Sequence, residues 1–452
     1  MHFLKKTGAV CLTAGVLLCS SGLYTEAEAS AAAAVEVPAQ TKAESSGIRS
    51  VTSISLVYGD GEKPAAAAVE YPADLAADSL SAQDFSVEGQ TITAVYTNDK
   101  PALTTKNVPG RYAILCFAHQ NSVSDQAMTA KKPPADAGQG QRRDGDAPLH
   151  SNRQMPELSL RVKQTGIVQA KNGTVYSPAE SVIASTAQLE PSLDGFQQYV
   201  YTDPATGYQI PYQLYLPRNY DAAKKYPLVF FIADASANTE QARMVLVQGS
   251  GAAVWTDPAE QARHECIVLA PAYTRGLVDS LGMMTDDSNT WTKGLTLVSD
   301  LLFDVMHRYS VDTNRIYGTG QSQGGMANIA ISDRYPDLFA AQYLVACQWN
   351  VDEMEALKDK KLWIMVSEGD TKAYPGMNEA TRRWEQLGSR VARSALWNSK
   401  STPEEFAALV RQTESQKAAI NYTVFQGGNH MYTWSVAYDI PGIRDWLFAQ
   451  KK

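Results

Sequence analysis

The stretch "RIYGTGQSQGGMAN", Arg315 to Asn328, decides the fold. A short β-branched and aromatic run leads into glycines at 318, 320 and 324, and a helical pattern follows. Two kinds of loop have this texture. One cradles the pyrophosphate of a dinucleotide; the other is a G-x-S-x-G turn, here Gly320-Gln321-Ser322-Gln323-Gly324, that holds a nucleophilic serine. A dinucleotide cradle opens the first βαβ unit and has an acidic residue roughly 20 positions on. Here several strands come first, and the third glycine is displaced by one from G-x-G-x-x-G. A phosphate loop of the Gly-Lys-Ser/Thr type would need a lysine, and the stretch has none. The serine turn fits better. Its serine sits on a tight, strained strand-to-helix corner, and glycine two residues to either side removes the Cβ atoms that would hold strand and helix apart.

A nucleophile elbow needs an acid and a histidine after it, in that order. Of the 6 histidines only His430 follows Ser322, in a stretch, "QGGNHMYTW", that reads as a glycine-rich loop after the strand "INYTVF". For the acid, "KLWIMVSEGD" puts Asp370 just past the end of a buried strand, with Glu368 two residues nearer as the alternative. Asp333 and Asp337 sit on or after the elbow helix, Asp352 and Asp359 lie among charged residues, and all four read as solvated. The catalytic candidates are therefore Ser322, Asp370 and His430. An oxyanion hole requires two backbone N–H donors, that of Gln323 after the nucleophile and that of Ala235 in the loop after "PLVFFIAD". Trp291, Trp349 and Trp434 lie near these loops and are candidates for a substrate pocket, with ordinary packing an equal reading for each.

Outward from the elbow, residues 195–452 alternate strands with helices: "YQIPYQLYLP", "YPLVFFIAD", "CIVLAPAY", the helix "LTLVSDLLFDVMHRY", then "RIYGTG", "QYLVACQ", "KLWIMVSEGD" and "INYTVF". In that helix Leu295, Val298, Leu302, Val305 and Tyr309 recur at three- and four-residue steps, one apolar face. Continuous apolar strands between helices predict a mostly parallel sheet covered on both faces. Residues 47–189 differ. Short alternating strands between turns, such as "TSISLVYG", "GRYAILCFA" and "ELSLRVKQTGIV", predict an all-β sandwich. Within it, residues 131–154 read as a solvated loop of Pro, Gly and charge.

Of the 452 residues 44% are hydrophobic and 19% charged, as in a folded soluble protein, and the net charge of -8 argues against a nucleic-acid partner. Residues 1–29 read as a signal peptide: Lys5 and Lys6, an apolar run from Ala9 to Leu18, and the Ala27-Glu28-Ala29 cleavage pattern. The run is too short to cross about 30 Å of hydrocarbon, so no transmembrane anchor is expected in the mature form; a lipid on Cys19 is the alternative, against which Leu18 counts. A flexible leader follows at 30–46. Only Cys116, Cys266 and Cys347 then remain, each in an apolar run, which gives no disulfide framework and no zinc site; neither metal nor cofactor is expected.

The segments "YPLVFFIADAS", "QGSGAAVWTDPAEQARHECIVLAPAY", "NRIYGTGQSQGGMANIAI" and "GGNHMYTWSVAYDIPGIRDWLF" resemble secreted bacterial α/β-hydrolase esterases of the "predicted peptidase" type, related to polyhydroxybutyrate depolymerases and feruloyl esterases. The likeness spans Gln197 to Phe448, and some relatives carry an immunoglobulin-like N-terminal domain. It implies an α/β-hydrolase fold preceded by an immunoglobulin-like sandwich, and a secreted serine carboxylesterase acting on a small-molecule or polymeric ester. A peptidase of the same fold, or an inactive secreted binding protein, are the alternatives. Relatives commonly have histidine where this chain has Ala233, which bears on the shape of the oxyanion loop.

Overall fold

The structure is a computed structural model and describes residues 47–121, 151–286 and 288–452. The expected signal at 1–29, the leader at 30–46 and most of the polar stretch at 131–154 lie outside the described residues.

Ten strands fill the N-terminal part: β1 (Ser50–Tyr58), β2 (Gly61–Glu70), β3 (Phe85–Val87), β4 (Ile92–Asn98), β5 (Tyr112–Phe117), β6 (Arg161–Gln164), β7 (Val168–Gln169), β8 (Val175–Tyr176), β9 (Ile183–Ala184) and β10 (Ala187–Leu189). They form a five-stranded sheet, β10-β1-β2-β5-β4, a three-stranded sheet, β3-β6-β9, and the ribbon β7-β8. Val51, Val69 and Leu115 of the first sheet share one buried cluster with Phe85, Val162 and Tyr176 of the others, so the sheets close on each other as a sandwich. The strand β2 has no signature in the sequence. Its Ala65–Ala68 run is poor strand material, yet these alanines are nearly or wholly buried between β1 and β5, where little room remains for larger side chains. On β1 the polar alternates are buried too: Ser53 Oγ donates to the Leu158 carbonyl at 2.6 Å and Ser55 Oγ to Glu62 Oε1 at 2.7 Å.

Nine strands build the second part: β11 (Phe196–Thr202), β12 (Gln209–Tyr215), β13 (Tyr226–Ile232), β14 (Ile267–Pro271), β15 (Val311–Gln321), β16 (Ala341–Val345), β17 (Leu362–Ser367), β18 (Val391–Arg393) and β19 (Ile420–Phe425). Their order is β11-β12-β14-β13-β15-β16-β17-β19-β18. The first two pairings are antiparallel and the rest parallel. Separate buried clusters lie on the two faces, one with Phe230 and Leu344, the other with Phe231 and Val345. The helix Lys293–Arg308 buries Leu295, Val298, Leu302 and Val305 as its spacing predicts, and Thr292 caps its start. This is an α/β-hydrolase fold behind an immunoglobulin-like sandwich. Among the described residues no helix is long and apolar enough to cross a membrane.

The two parts meet through backbone as well as side chains. The turn between β1 and β2 presses on the helix His430–Ala437: a Cβ on Gly59 would stand 1.9 Å from the Ser435 carbonyl oxygen. Asn121 Nδ2 donates to that same oxygen at 2.8 Å. Val57 belongs to the buried cluster of Phe231, Val245 and Leu246 in the second part. Around this contact His119 stacks on Tyr58 and lies 3.3 Å from Asp60, which also pairs with Lys63. Contrary to the solvated reading of 131–154, its last residues are part of the seam: Arg275 Nη2 donates to the Ser151 carbonyl and to Asn152 Oδ1, both at 2.9 Å, and Met155 packs on the same apolar cluster as Val57.

Burial at the seam pushes the Asp439 carboxyl up to about 6, against the opposing charges of Arg444 and His119, with Asp60 adding to the rise. A carboxyl ionises near 4 in an unfolded chain, so the folded state holds this proton more tightly, and stability is lost as pH rises from about 4 through 6. Asp439→Asn removes that loss. The variant should gain on the order of 1 kcal/mol more over the parent at pH 8 than at pH 5, read from urea midpoints. An equal difference at both pH values would rule the effect out.

Candidate active site

Ser322 sits at the corner between β15 and the elbow helix, Gln323–Arg334, with φ 51° and ψ −121°. That left-handed backbone is strained for a side chain with a Cβ and persists only where its surroundings impose it. Two glycines impose it. A Cβ on Gly320 would lie 2.5 Å from the Ile232 carbonyl oxygen, and one on Gly324 would lie 1.8 Å from the same atom. The end of β13 therefore passes against both sides of the turn, and Ser322 N–H is held by the Val345 carbonyl at 3.0 Å.

His430 lies in reach. Its Nε2 is 2.8 Å from Ser322 Oγ and its Nδ1 is 2.5 Å from Asp370 Oδ2. The local backbone corrects the sequence reading, since His430 is the first residue of the helix His430–Ala437 and not part of a loop. Asn429 caps that helix, accepting from Tyr432 N–H at 3.0 Å. The two glycines before it, at φ 61° and 73°, supply the sharp entry. Asp370 is buried at 2% exposure against 39% for the His430 side chain. Its other oxygen accepts from the backbone N–H of Lys372 at 3.1 Å and Ala373 at 2.9 Å, which fixes the carboxylate plane. Glu368, the alternative acid, turns elsewhere: its Oε2 accepts from Gly427 N–H at 2.9 Å and so braces the loop that delivers His430. Asp337, Asp352 and Asp359 are exposed, and Asp333 is half-buried.

Beside the elbow, residues Ala235–Ala237 form a single 3₁₀ turn capped by Asp234, whose Oδ1 accepts from Ser236 N–H at 2.7 Å. Two side-chain bonds tie this loop to the elbow: Gln321 Nε2 to Asp234 Oδ2 at 3.3 Å, and Asn238 Nδ2 to Gln323 Oε1 at 3.2 Å. Ala235 and Gln323 each occupy the first position of a helical turn, where the backbone N–H has no partner within its own turn. Ala233 is buried in the apolar cluster under the sheet. With alanine there, Asp234 and Gln321 hold the loop's shape.

The tryptophans divide. Trp434 meets His430 edge to face at 5.0 Å, so it borders the candidate site. Trp291 and Trp349 come together elsewhere, lining a pocket of about 220 Å³ with Ala330, Asp333, Arg334 and Glu353. The three elbow-helix residues of that pocket lie roughly 12–18 Å along the axis from Ser322. Arg334 covers the Trp291 ring at 4.4 Å, and Trp349 Nε1 donates to Glu353 at 2.6 Å. For a metal, one trio among the described residues groups its ligand atoms within 4.8 Å: Glu260, His264 and Asp445. Arg263 and Arg444 already occupy its carboxylates. Burial alone would raise Glu260, but the His264 hydrogen bond and both guanidinium charges outweigh it and hold the carboxyl at about 2. It is an ion-pair network. Cys266 and Cys347 are buried as expected, while Cys116 is half-buried.

Gly324→Ala tests the corner directly. Its methyl would have to displace the Ile232 carbonyl, at a cost of about 1–3 kcal/mol, and the variant should melt below the parent. An unchanged melting temperature would contradict the packing described.

Comparisons with known proteins agree with this architecture. Residues 50–177 match the family model described as the esterase Ig-like N-terminal domain. Among curated proteins none matches the chain. A solved thermostable esterase shares 24% identity and a TM-score of 0.68, over 90% of this chain and 100% of its own. The feruloyl esterase module from Clostridium thermocellum, solved as an S954A mutant with sinapinate, shares 13% identity and a TM-score of 0.38 over 56% of this chain and 87% of its own, too loose a likeness to argue from. This chain, an immunoglobulin-like domain followed by an α/β hydrolase, is similar in fold to the thermostable esterase over nine-tenths of its length.

Proposed function

We propose that the chain is an exported serine hydrolase that cleaves carboxylic esters. The observation that carries this reading is the unbroken hydrogen-bond chain Ser322 Oγ–His430 Nε2 and His430 Nδ1–Asp370 Oδ2, anchored on a strained elbow. Asp370 holds the imidazole with its proton on Nδ1, so Nε2 accepts the serine proton. Ser322 Oγ then attacks the ester carbonyl, and charge develops on the carbonyl oxygen. The N–H groups of Gln323 and Ala235 stabilise that oxyanion, at about 3 kcal/mol per donor. His430 returns the proton to the departing alcohol, which leaves an acyl-serine. Water deprotonated by His430 attacks the acyl carbon, the acid departs, and Ser322 regains its proton. Esters are the easier substrates because an alkoxide is a far better leaving group than an amide anion, so ester cleavage depends less on a well-placed proton from His430. The half-exposed imidazole and the exposed Met431 beside it leave the serine open to a substrate approaching from solvent.

The test is hydrolysis of p-nitrophenyl esters of graded acyl length by the chain without residues 1–29. Turnover should vanish in Ser322→Ala and fall roughly 1,000- to 10,000-fold in Asp370→Asn, whose amide cannot hold the same tautomer. Turnover that persists in Ser322→Ala would sink the mechanism, and no turnover of any ester or peptide by the parent would favour an inactive binding protein. Cleavage of peptides but not esters would make it a peptidase. Export has its own check: the full sequence expressed in a bacterium should yield protein outside the cytoplasm beginning at Ser30. Protein retained in the cytoplasm with Met1 intact would refute the signal reading.

A further inference from the structure

We infer that Arg153, contributed from the N-terminal side of the chain, is a positioning residue for the oxyanion loop of the hydrolase part. The inference rests on the esterase reading above. Its guanidinium bridges two separate segments: Nη1 donates to Ser236 Oγ at 3.2 Å and Nη2 to the Gln248 carbonyl at 3.1 Å. Ser236 is the middle residue of the 3₁₀ turn Ala235–Ala237 whose first N–H is the proposed second donor. Two residues earlier, Ser151 N–H donates to the Asn238 carbonyl at 3.1 Å, so the same short strap grips the turn at both its middle and its end. The strap is itself braced, because Arg153 N–H donates to Ser151 Oγ at 3.0 Å and Arg275 holds the Ser151 carbonyl at 2.9 Å.

The loop needs that support. A three-residue turn makes few bonds of its own: the Asp234 cap, Ala237 N–H to the Asp234 carbonyl and Asn238 N–H to the Ala235 carbonyl, both at 3.1 Å. Its links to the elbow run through two long glutamine contacts at 3.2 and 3.3 Å. A donor that stabilises a transition state must be aimed before the charge appears, and a misplacement of about 1 Å can cost about 100-fold in rate. A planar guanidinium offers several donors in a fixed fork and can span an acceptor on each side; an ammonium of similar reach is a single point. Arg153 therefore acts on Ala235 through Ser236 and does not touch the substrate. The N-terminal side of the chain would thereby set the geometry in which the oxyanion is received.

The experiment compares Arg153→Ala, Arg153→Lys and Ser236→Ala with the parent, all in the chain without residues 1–29. It measures kcat and KM on a p-nitrophenyl ester, the inhibition constant of a trifluoromethyl ketone, and the melting temperature. Because the ketone adds to the serine and forms an oxyanion, its affinity reports the hole and not ground-state packing. For Arg153→Ala kcat should fall roughly 10- to 100-fold while KM stays within about twofold, and the ketone should weaken by the same factor as kcat. Arg153→Lys should melt near the parent yet fail to restore kcat. If Arg153→Ala does not fold, Ser236→Ala, which removes only the acceptor hydroxyl, must show the same paired loss. An unchanged kcat, or a fall in kcat without weaker ketone binding, overturns the assignment. A parent that hydrolyses esters through Ser322 while ignoring Arg153 overturns this inference alone. A parent with no Ser322-dependent ester hydrolysis overturns the esterase reading and this inference with it.

Discussion

The carbonyl oxygen of Ile232 stands where a side chain at residue 324 would have to be. The 1.8 Å separation from a notional Cβ is the constraint on which the second half of the molecule turns. Because Gly324 carries no Cβ, the end of β13 can pass under the first turn of the elbow helix, and the pairing of β13 with β15 runs up to Ile232 opposite Gly320. Ser322 is then driven into its left-handed backbone, with its side chain at the end of the sheet. The strand that presses on the elbow continues directly into Asp234 and the turn after it. One close approach thus sets both the serine and the loop beside it.

The histidine arrives by a different route. The helix it begins is held from below by Ser367 and Thr433, whose hydroxyls meet at 2.8 Å, and from the side by the β1–β2 turn and Asn121 at Ser435. Glu368 secures the glycine entry to that helix while Asp370, two residues on, takes the ring. The two carboxylates share a strand end and divide the work between backbone and imidazole. Such a division resembles the way second-layer groups orient a metal ligand: one contact fixes where the ring is, another fixes which nitrogen carries the proton.

Much of this could be read in the chain. The G-x-S-x-G corner, the order of the three side chains and the strand ahead of Asp370 all leave local signatures, because each depends on residue types at short spacing. The features that escaped depend on distant partners. The alanine run of β2 looks like nothing until β1 and β5 close over it. Arg153 stands in a polar stretch whose composition says solvent, and only the fold brings it to Ser236. Trp291 and Trp349 are brought together, yet beside Arg334 far along the elbow helix, a placement no spacing encodes. The helix start at His430 is an intermediate case. Asn429 is a good cap and was there to be seen, but the two glycines before it argue for a loop as strongly.

Val57 lies in the sandwich by sequence and in the hydrolase core by packing. The unit that would be exchanged by cutting the chain between β10 and β11 is therefore not the unit that buries its own surface. A lineage that traded one sandwich for another at that junction would uncover Val245 and Leu246 unless the newcomer brought a matching side chain at the tip of its first strand. Domains that each close their own core can be joined freely; here a change of shape at Val57 or at the β1–β2 turn is also a change in the packing of the hydrolase part.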